Sequence, residues 1–159
     1  MEEIEVAKEL TKGLLERMGV RAEVEGFLKE GNLCLEVRGD QEGILIGKHG
    51  RTLEALQMLV NRMVNKRLKN AMRVVLDVDD YRKRRAESMA QMALRLGDEA
   101  KKTGRSQVAA LLNAYDRRII HLTLKEDPFL ETESIGEGEL KRVKIIPVKD
   151  TDNPLKQIE

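Results

Sequence analysis

Two glycines separated by two residues, Gly47 and Gly50, interrupt the apolar pattern in the first half of the chain. Glycine adopts backbone conformations with positive φ at no steric cost, and its missing Cβ lets another backbone come close. The apolar residues on either side of this GKHG tetrapeptide have helical spacing. The chain must therefore turn sharply here, and we predict a short turn of helix over Gln41–Ile46 and a longer helix from about Thr52 to Leu68.

Three short alternating runs in the same half predict β-strands. Apolar and polar residues alternate over Ala22–Lys29 and over Leu33–Arg38, and the Gly-Asn pair between them is typical of a hairpin turn. A third alternating run covers Val74–Val78, while residues 2–18 have apolar residues at helical spacing. The first half therefore predicts the order α-β-β-α-α-β, which is a complete small α+β unit.

The second half mixes helices and strands in another order. Helical spacing extends over residues 81–102, and a short apolar run over Ser106–Leu112 predicts a strand. Asn113 has the position of an N-cap for a helix that ends at about Leu124. A second hairpin follows, with Leu130–Ile135 and Leu140–Val148 on either side of a glycine-rich turn.

The formal net charge of the chain is +1, but the charges are unevenly distributed. Residues 81–125 carry eleven basic and four acidic side chains, whereas residues 1–39 and 126–159 are both net acidic. The central band is therefore where we expect an anionic partner. Aromatic residues make up only 3% of the chain, which argues against folds that read bases on a platform of exposed rings.

The counts of cysteine and histidine exclude several classes of protein. Cys34 is the single cysteine, and His49 and His121 are the two histidines, too few for an internal disulfide or a structural zinc site. The sequence has no run of about 18 apolar residues for a membrane span, and its acidic start is unlike a signal peptide. No nucleophile lies in a recognisable catalytic motif. We predict a cytoplasmic protein without metal, cofactor or catalytic activity.

The tetrapeptide, called here the glycine loop (Gly47–Gly50), has the chemistry of an anion-binding turn. Lys48, His49 and Arg51 supply donors, and the N-terminus of the following helix directs its N–H groups and the positive end of its dipole to the same place. Residues 44–46 add an apolar wall for bases. The loop lacks the spacing and the Ser or Thr of a Walker A motif, so we exclude an ATPase.

A second basic motif lies on the shorter helix of the second half. Arg117 and His121 are four residues apart, so they share one helix face and offer a guanidinium fork and an imidazole to a phosphate or a base edge. Tyr115, Ile119 and Leu122 lie on the other side, and we expect them to pack inward. By itself, such a pair is more typical of a solvated helix face.

A third cluster, Tyr81–Arg85, places four cations at the start of the long helix. Asp79 and Asp80 precede it, and we expect them to cap the helix and to offset the unfavourable interaction of the cations with its dipole. Two interpretations stay open for the cluster: a basic strip that contacts nucleic acid, and a solvated helix face balanced by local acids.

Both halves resemble known domains. Residues from about Thr11 to Asp80 resemble a KH domain of the second topological type, and the glycine loop matches its GxxG signature. KH domains clamp about four nucleotides of a single strand, with the GxxG loop on the phosphate backbone. The resemblance implies that Gly47–Gly50 bind phosphates and that Ile46 and nearby aliphatic side chains contact bases.

The second half is similar to the R-3-H domain, which is named for an Arg, three residues and a His. Arg117 and His121 have this spacing, and residues 132–136 and 141–143 are similar to the closing hairpin of that domain. Ala114 stands where relatives usually have proline. A KH domain followed directly by an R-3-H domain is the arrangement of the bacterial Jag family of RNA-binding proteins, which this chain resembles.

We therefore predict an α+β chain with a type II KH domain over residues 1–80, a small α+β R-3-H domain over 81–149 and a flexible tail over 150–159. The resemblance implies a non-catalytic protein that binds single-stranded RNA as a post-transcriptional regulator or RNA chaperone. Two alternatives stay open: a protein-interaction scaffold in a cell-division or cell-envelope regulatory complex, with a second KH protein as partner, and a protein that binds single-stranded DNA. The expected RNA-binding residues are Ile46, Gly47, Lys48, His49, Gly50, Arg51, Arg117, Arg118 and His121.

Overall fold

The chain divides into two compact units, residues 1–82 and residues 83–159. The structure is a computed structural model that describes residues 1–40, 42–69 and 71–148, so the predicted tail lies outside the described residues. Each unit has its own three-stranded sheet and its own apolar core. The α+β class predicted from the sequence is confirmed.

Unit 1 places two helices against a sheet of order β1-β2-β3. β1 and β2 form the predicted hairpin, and β3 pairs with β2 in parallel. The bounds are α1 Glu2–Arg17, β1 Glu23–Lys29, β2 Asn32–Arg38, α2 Arg51–Leu68 and β3 Val74–Val78.

The core of unit 1 follows from the alternation on the two paired strands. Leu33, Leu35 and Val37 of β2 are buried and lie opposite three buried residues of β3. Residues that alternate along a strand point to one face, so these side chains form a single apolar layer. Helices α1 and α2 contribute Ala7 and Val60 to the same buried cluster.

The segment before the glycine loop differs from the prediction. Gln41 lies outside the described residues, and residues 42–46 form turns and a bend instead of a regular helix. One helical turn is closed by the Gly47 N–H, which donates to the Gly43 carbonyl at 3.0 Å. Gly43 has φ +68°, a left-handed conformation that a continuing right-handed helix excludes.

Amide side chains of α2 form hydrogen bonds with the edge of β3 that does not pair with β2. Gln57 Oε1 accepts a hydrogen bond from the Leu76 N–H at 3.1 Å, and Asn61 Oδ1 accepts one from the Val74 N–H at 3.0 Å. Asn65 lies one further turn along the helix and accepts from the Met72 N–H at 2.8 Å. An unpaired strand edge is a template for pairing with another chain, and these side chains occupy its donors.

Unit 2 packs helices against a sheet of order β4-β6-β5, in which both strand pairs are antiparallel. The predicted second hairpin is present as β5 and β6. The bounds are α3 Tyr81–Thr103, β4 Gln107–Leu112, α4 Ala114–Leu124, β5 Leu130–Ile135 and β6 Lys141–Pro147; the first two residues of α3 belong to unit 1.

Helix α4 is rotated relative to the prediction. Asn113 caps it as expected, since its Oδ1 accepts from the Asp116 N–H at 2.8 Å. Its buried side chains, however, are Asp116, Ile120 and Leu124. The prediction that Tyr115 and Leu122 pack inward is wrong, because they are 50% and 56% exposed; Ile119 does pack against the core.

An ion pair explains this rotation. Arg85 of α3 donates to both carboxylate oxygens of Asp116, from Nη2 at 2.7 Å and from Nε at 3.2 Å. Asp116 is 1% exposed and Arg85 18%. A buried carboxylate needs such a partner, so the pairing turns the Asp116 side of α4 inward and the Tyr115 side outward.

Removal of the Asp116 carboxylate tests this pairing. Asp116→Ala should lower the free energy of unfolding by about 3 kcal/mol, because it leaves the Arg85 guanidinium largely buried without its anion. Urea unfolding measures the change. The control Glu87→Ala removes an exposed acid from α3 and should shift stability by no more than about 0.5 kcal/mol. Equal stability of the two variants would contradict the structural role of the pair.

Candidate nucleic-acid interface

Three residues of the glycine loop have a left-handed backbone: Gly47 with φ +69°, His49 with φ +57° and Gly50 with φ +79°. A Cβ on Gly47 would lie 2.8 Å from the Cβ of Thr52, and one on Gly50 would lie 2.6 Å from Cε1 of Tyr81. Both glycines are therefore required by the packing of the protein itself, in addition to any approach of a ligand. The contact of Tyr81 with the loop was not predicted from the sequence.

The first N–H groups of α2 donate hydrogen bonds to carbonyls in and next to the glycine loop. The Ile46 carbonyl accepts from the N–H groups of Thr52 and Leu53, at 3.1 and 3.2 Å, and the Arg51 N–H donates to the Lys48 carbonyl. These N–H groups were expected to face an anion, and the structure contradicts that expectation. The positive end of the α2 dipole remains at this position, so the electrostatic preference for an anion is kept.

Two carboxylates hold the segment that leads into the loop. The N–H groups of Gly39 and Asp40 donate to Asp79, to Oδ1 and Oδ2 respectively, each at 3.1 Å. Asp40 Oδ2 in turn accepts from the N–H groups of Leu45 and Ile46, at 3.0 and 3.1 Å. Asp79 therefore links the end of β3 to the backbone before the glycine loop.

Asp79, predicted as a cap of α3, binds the backbone before the glycine loop through its carboxylate, a role that the sequence did not predict. Asp77 accepts from the start of α3, since its Oδ1 is 3.4 Å from the Arg82 nitrogen, and the same oxygen is 2.9 Å from the Val78 nitrogen. Burial raises the pKa of the Asp77 carboxyl. The two hydrogen bonds and the positive charge of Arg82 lower this pKa, but they offset only part of the rise.

The glycine loop presents cations and aliphatic side chains outward. Lys48 and Arg51 are exposed, and neither side chain forms a hydrogen bond or an ion pair within the described part of the chain. His49 and Ile46 are half-buried, and Ile44 is exposed. Leu45 was expected in the apolar wall, but it is fully buried in the core. The wall next to the loop therefore consists of Ile44 and Ile46.

The two residues of the R-3-H spacing are turned toward the protein. Arg117 Nη1 donates to the carbonyl oxygens of Leu112 and Glu139, at 2.7 and 3.3 Å. His121 has a hydroxyl partner on each ring nitrogen: Thr132 Oγ1 is 2.7 Å from Nδ1 and Ser134 Oγ is 2.9 Å from Nε2. The motif therefore ties α4 to the end of β4, the β5–β6 turn and β5.

Arg118 differs from these two residues. Its side chain is exposed and has no hydrogen-bond or ion-pair partner among residues 1–40, 42–69 and 71–148. Of the three cationic or titratable residues predicted on α4, it is the one that faces solvent. The alternate hydroxyls at 132 and 134 were a signal for the role of His121, since residues two apart on a strand point to the same side.

The cluster Tyr81–Arg85 is partly structural. Arg82 donates from Nη2 to Gln57 Oε1 at 2.9 Å and to the Leu76 carbonyl at 3.3 Å, and Arg85 is paired with Asp116. Lys83 and Arg84 are exposed. The cluster therefore corresponds to neither interpretation alone, because Arg82 and Arg85 support the fold.

Metal sites and membrane spans are absent from the part of the chain that the structure describes. It contains no group of three or more His, Cys, Asp or Glu side chains that could hold a metal ion. None of its helices combines the length and the apolar character that a membrane crossing requires.

A small α+β unit with a GxxG loop, followed by a unit with the Arg-x3-His pattern on a helix packed against a hairpin, defines a protein with a KH domain and an R-3-H domain. The KhpA/KhpB KH domain family matches residues 4–78, and the R-3-H domain family matches residues 87–147. Both matches confirm the resemblance inferred from the motifs.

Curated relatives place the chain in one family. It is 41% identical over 132 residues to RNA-binding protein KhpB of Clostridium symbiosum, covering 83% of this chain and 59% of that protein. It is 33% identical to KhpB of Lactiplantibacillus plantarum, covering 77% of this chain and 38% of that protein. It is 30% identical to KhpB of Bacillus subtilis, covering 89% of this chain and 69% of that protein. The chain belongs to the KhpB family.

The contrast between neighbouring arginines of α4 can be measured. Arg117→Ala should lower the free energy of unfolding by about 1.5–3 kcal/mol, because it removes charge-assisted hydrogen bonds to two carbonyls. Arg118→Ala should change it by less than about 0.5 kcal/mol. Chemical unfolding of the two variants side by side gives the comparison. Equal losses, or a larger loss for Arg118→Ala, would contradict the assigned roles.

The raised pKa of Asp77 gives a pH prediction. A carboxyl whose folded pKa exceeds the ordinary 3.8 stabilises the fold most below pH 3.8, and this contribution is lost as pH rises through the folded pKa. Asp77→Asn keeps an acceptor and removes the titration. The stability of this variant relative to the parent should therefore increase from about pH 3 to pH 7. Urea midpoints at both pH values measure this difference; a constant or shrinking difference would contradict the raised pKa that partial burial gives the carboxyl.

Proposed function

We propose that this chain binds single-stranded RNA and catalyses no reaction. The observation that carries the proposal is the glycine loop: a tight left-handed turn at the positive end of α2, with Lys48 and Arg51 exposed and unpaired within the described residues. Relatives of this chain are RNA-binding proteins of the KhpB family, which supports the proposal. The chain spans 59% and 38% of the first two of these relatives, so the substrate and partners of the whole protein belong to this proposal.

The proposed phosphate contacts of the loop are made mainly by side chains. Lys48 and Arg51 neutralise adjacent phosphates, and the dipole of α2 adds to the attraction. Gly47 and Gly50 permit the tight turn that leaves Lys48 and Arg51 exposed. Ile44 and Ile46 contact the bases, which gives modest selectivity without an aromatic platform.

In unit 2 the proposal assigns unequal roles to the predicted residues. Arg118 contacts RNA directly because it is the exposed cation of α4. Arg117 and His121 act by positioning, since their polar atoms already bind Leu112, Glu139 and the hydroxyls of β5. We propose that the KH domain covers residues 1–80 and the R-3-H domain residues 81–149.

The proposed cellular role is that of a cytoplasmic post-transcriptional regulator or RNA chaperone. Electrostatic phosphate contacts, with few base-specific groups, suit binding to many transcripts. Single-stranded DNA offers the same phosphates, so parallel titrations with RNA and DNA of one sequence decide between the two ligands.

The scaffold alternative has one observation in its favour. Met58 and Leu59 of α2 are 62% and 49% exposed, and neighbouring exposed apolar side chains suit a protein partner such as a second KH protein. Pull-down with and without RNase separates the two functions. Partners that persist after RNase support the scaffold, and partners that are lost support RNA binding.

Charge reversal in the glycine loop tests the proposal. Lys48→Asp should weaken binding to a single-stranded RNA oligonucleotide and reduce the slope of log affinity against log salt by about 0.7, the value for one phosphate contact on a single strand. Fluorescence anisotropy at several salt concentrations measures both.

Lys12→Asp is the matched control, because Lys12 is an exposed lysine of the same unit on α1. It changes the net charge equally and should leave the affinity and the slope close to those of the parent. If Lys48→Asp and Lys12→Asp had the same effect, the cations would act only through net charge and the loop would not be the binding site.

A further inference from the structure

The outer face of α4, formed by Tyr115, Arg118 and Leu122, is an exposed surface that the fold does not explain. Tyr115 and Leu122 are 50% and 56% exposed, and Arg118 is exposed between them in sequence. On a helix, residues three and four positions apart are neighbours, with Cβ atoms about 5–6 Å apart, so the three side chains form one continuous patch. Neither Tyr115 nor Arg118 has a side-chain hydrogen bond or ion pair with a residue that the structure describes.

The orientation of this face is imposed from the other side of the helix. Asp116 is buried against Arg85, and Ile120 and Leu124 enter the core. Arg117 and His121 lie on the flank of α4 that contacts the β5–β6 turn and β5. The ring of Tyr115 and the guanidinium of Arg118 are therefore held outward by the buried contacts of their own helix.

We propose that the outer face of α4 is a stacking site for one unpaired RNA base, an inference that rests on the proposed RNA binding. A tyrosine ring and an arginine guanidinium are both planar groups on which single-stranded bases stack. Leu122 extends the apolar surface beyond them. Arg118 also neutralises the phosphate of the bound nucleotide.

Charge favours RNA as the occupant. Asp116 is the single acidic residue of α4, and its carboxylate is buried and neutralised by Arg85. The charges exposed along α4 and its C-cap are those of Arg118 and Lys125, both positive. A protein partner with an acidic patch would contact the same side chains, and the experiment below distinguishes it.

If Tyr115 stacks on a base, its contribution to RNA affinity should depend on the bases and not on the phosphates. Tyr115→Ala should weaken binding to single-stranded RNA roughly 5- to 150-fold, the range for loss of one base–aromatic stack. Tyr115→Phe keeps the ring and should bind as the parent does. With an oligomer of the same length whose nucleotides lack bases, Tyr115→Ala and the parent should bind equally.

Phe129→Ala is the matched control, because Phe129 is an exposed aromatic residue of the same unit outside α4. It should leave RNA affinity unchanged. Arg118→Ala should reduce the salt slope by about 0.7, whereas Tyr115→Ala should leave the slope unchanged because it removes no charge. The chain contains no tryptophan, so Tyr115→Trp introduces a single fluorescent reporter. Binding of RNA should change its fluorescence, and binding of the abasic oligomer should not.

The outcomes separate this inference from the function on which it rests. If the parent binds no RNA, or Lys48→Asp has no effect on binding, the proposed function fails. If Lys48→Asp weakens binding but Tyr115→Ala does not, the stacking site alone is overturned. Equal loss for Tyr115→Ala with normal and abasic oligomers also overturns it. A loss of protein association without a change in RNA affinity identifies a protein-binding face instead.

Discussion

The glycine loop depends on a relay of hydrogen bonds that begins at the end of β3. Asp79 binds the N–H groups of Gly39 and Asp40, Asp40 binds those of Leu45 and Ile46, and the Ile46 carbonyl accepts from the start of α2. Each link fixes a stretch of backbone, so the position of the loop depends on the end of β3 as well as on its own glycines. The ring of Tyr81 packs against Gly50 and completes the arrangement.

In both units some cations bind acceptors of the protein and others are exposed to solvent. Arg82, Arg85 and Arg117 each donate to an acceptor within their own unit. Lys48 and Arg118 project into solvent. The net charge of +1 gives no indication of this division. A cation buried against an acceptor contributes stability and orientation, and an exposed one is available to a phosphate, so their positions in sequence alone do not predict RNA contacts.

The features predicted from the sequence are those set by local patterns. Alternation indicated the two hairpins, helical spacing indicated α1 to α4, and the N-cap at Asn113 followed from residue type and position. The rotation of α4 was not predicted, because it depends on Arg85 meeting Asp116 across 31 residues. The role of Asp79 was missed for the same reason, since its partners lie about 40 residues earlier. The partners of His121 lie 11 and 13 residues away on a strand. Contacts of this kind depend on tertiary structure and leave no periodic signal.

The central claim is that the glycine loop and the outer face of α4 bind the nucleic acid while the Arg-x3-His residues hold the fold. Backbone amide chemical-shift mapping with a single-stranded RNA oligonucleotide tests it most directly. The largest shifts are expected over residues 44–51 and around Tyr115 and Arg118, with smaller shifts at Thr132 and Ser134. Shifts centred on β5, or no shifts over the glycine loop, would contradict the account.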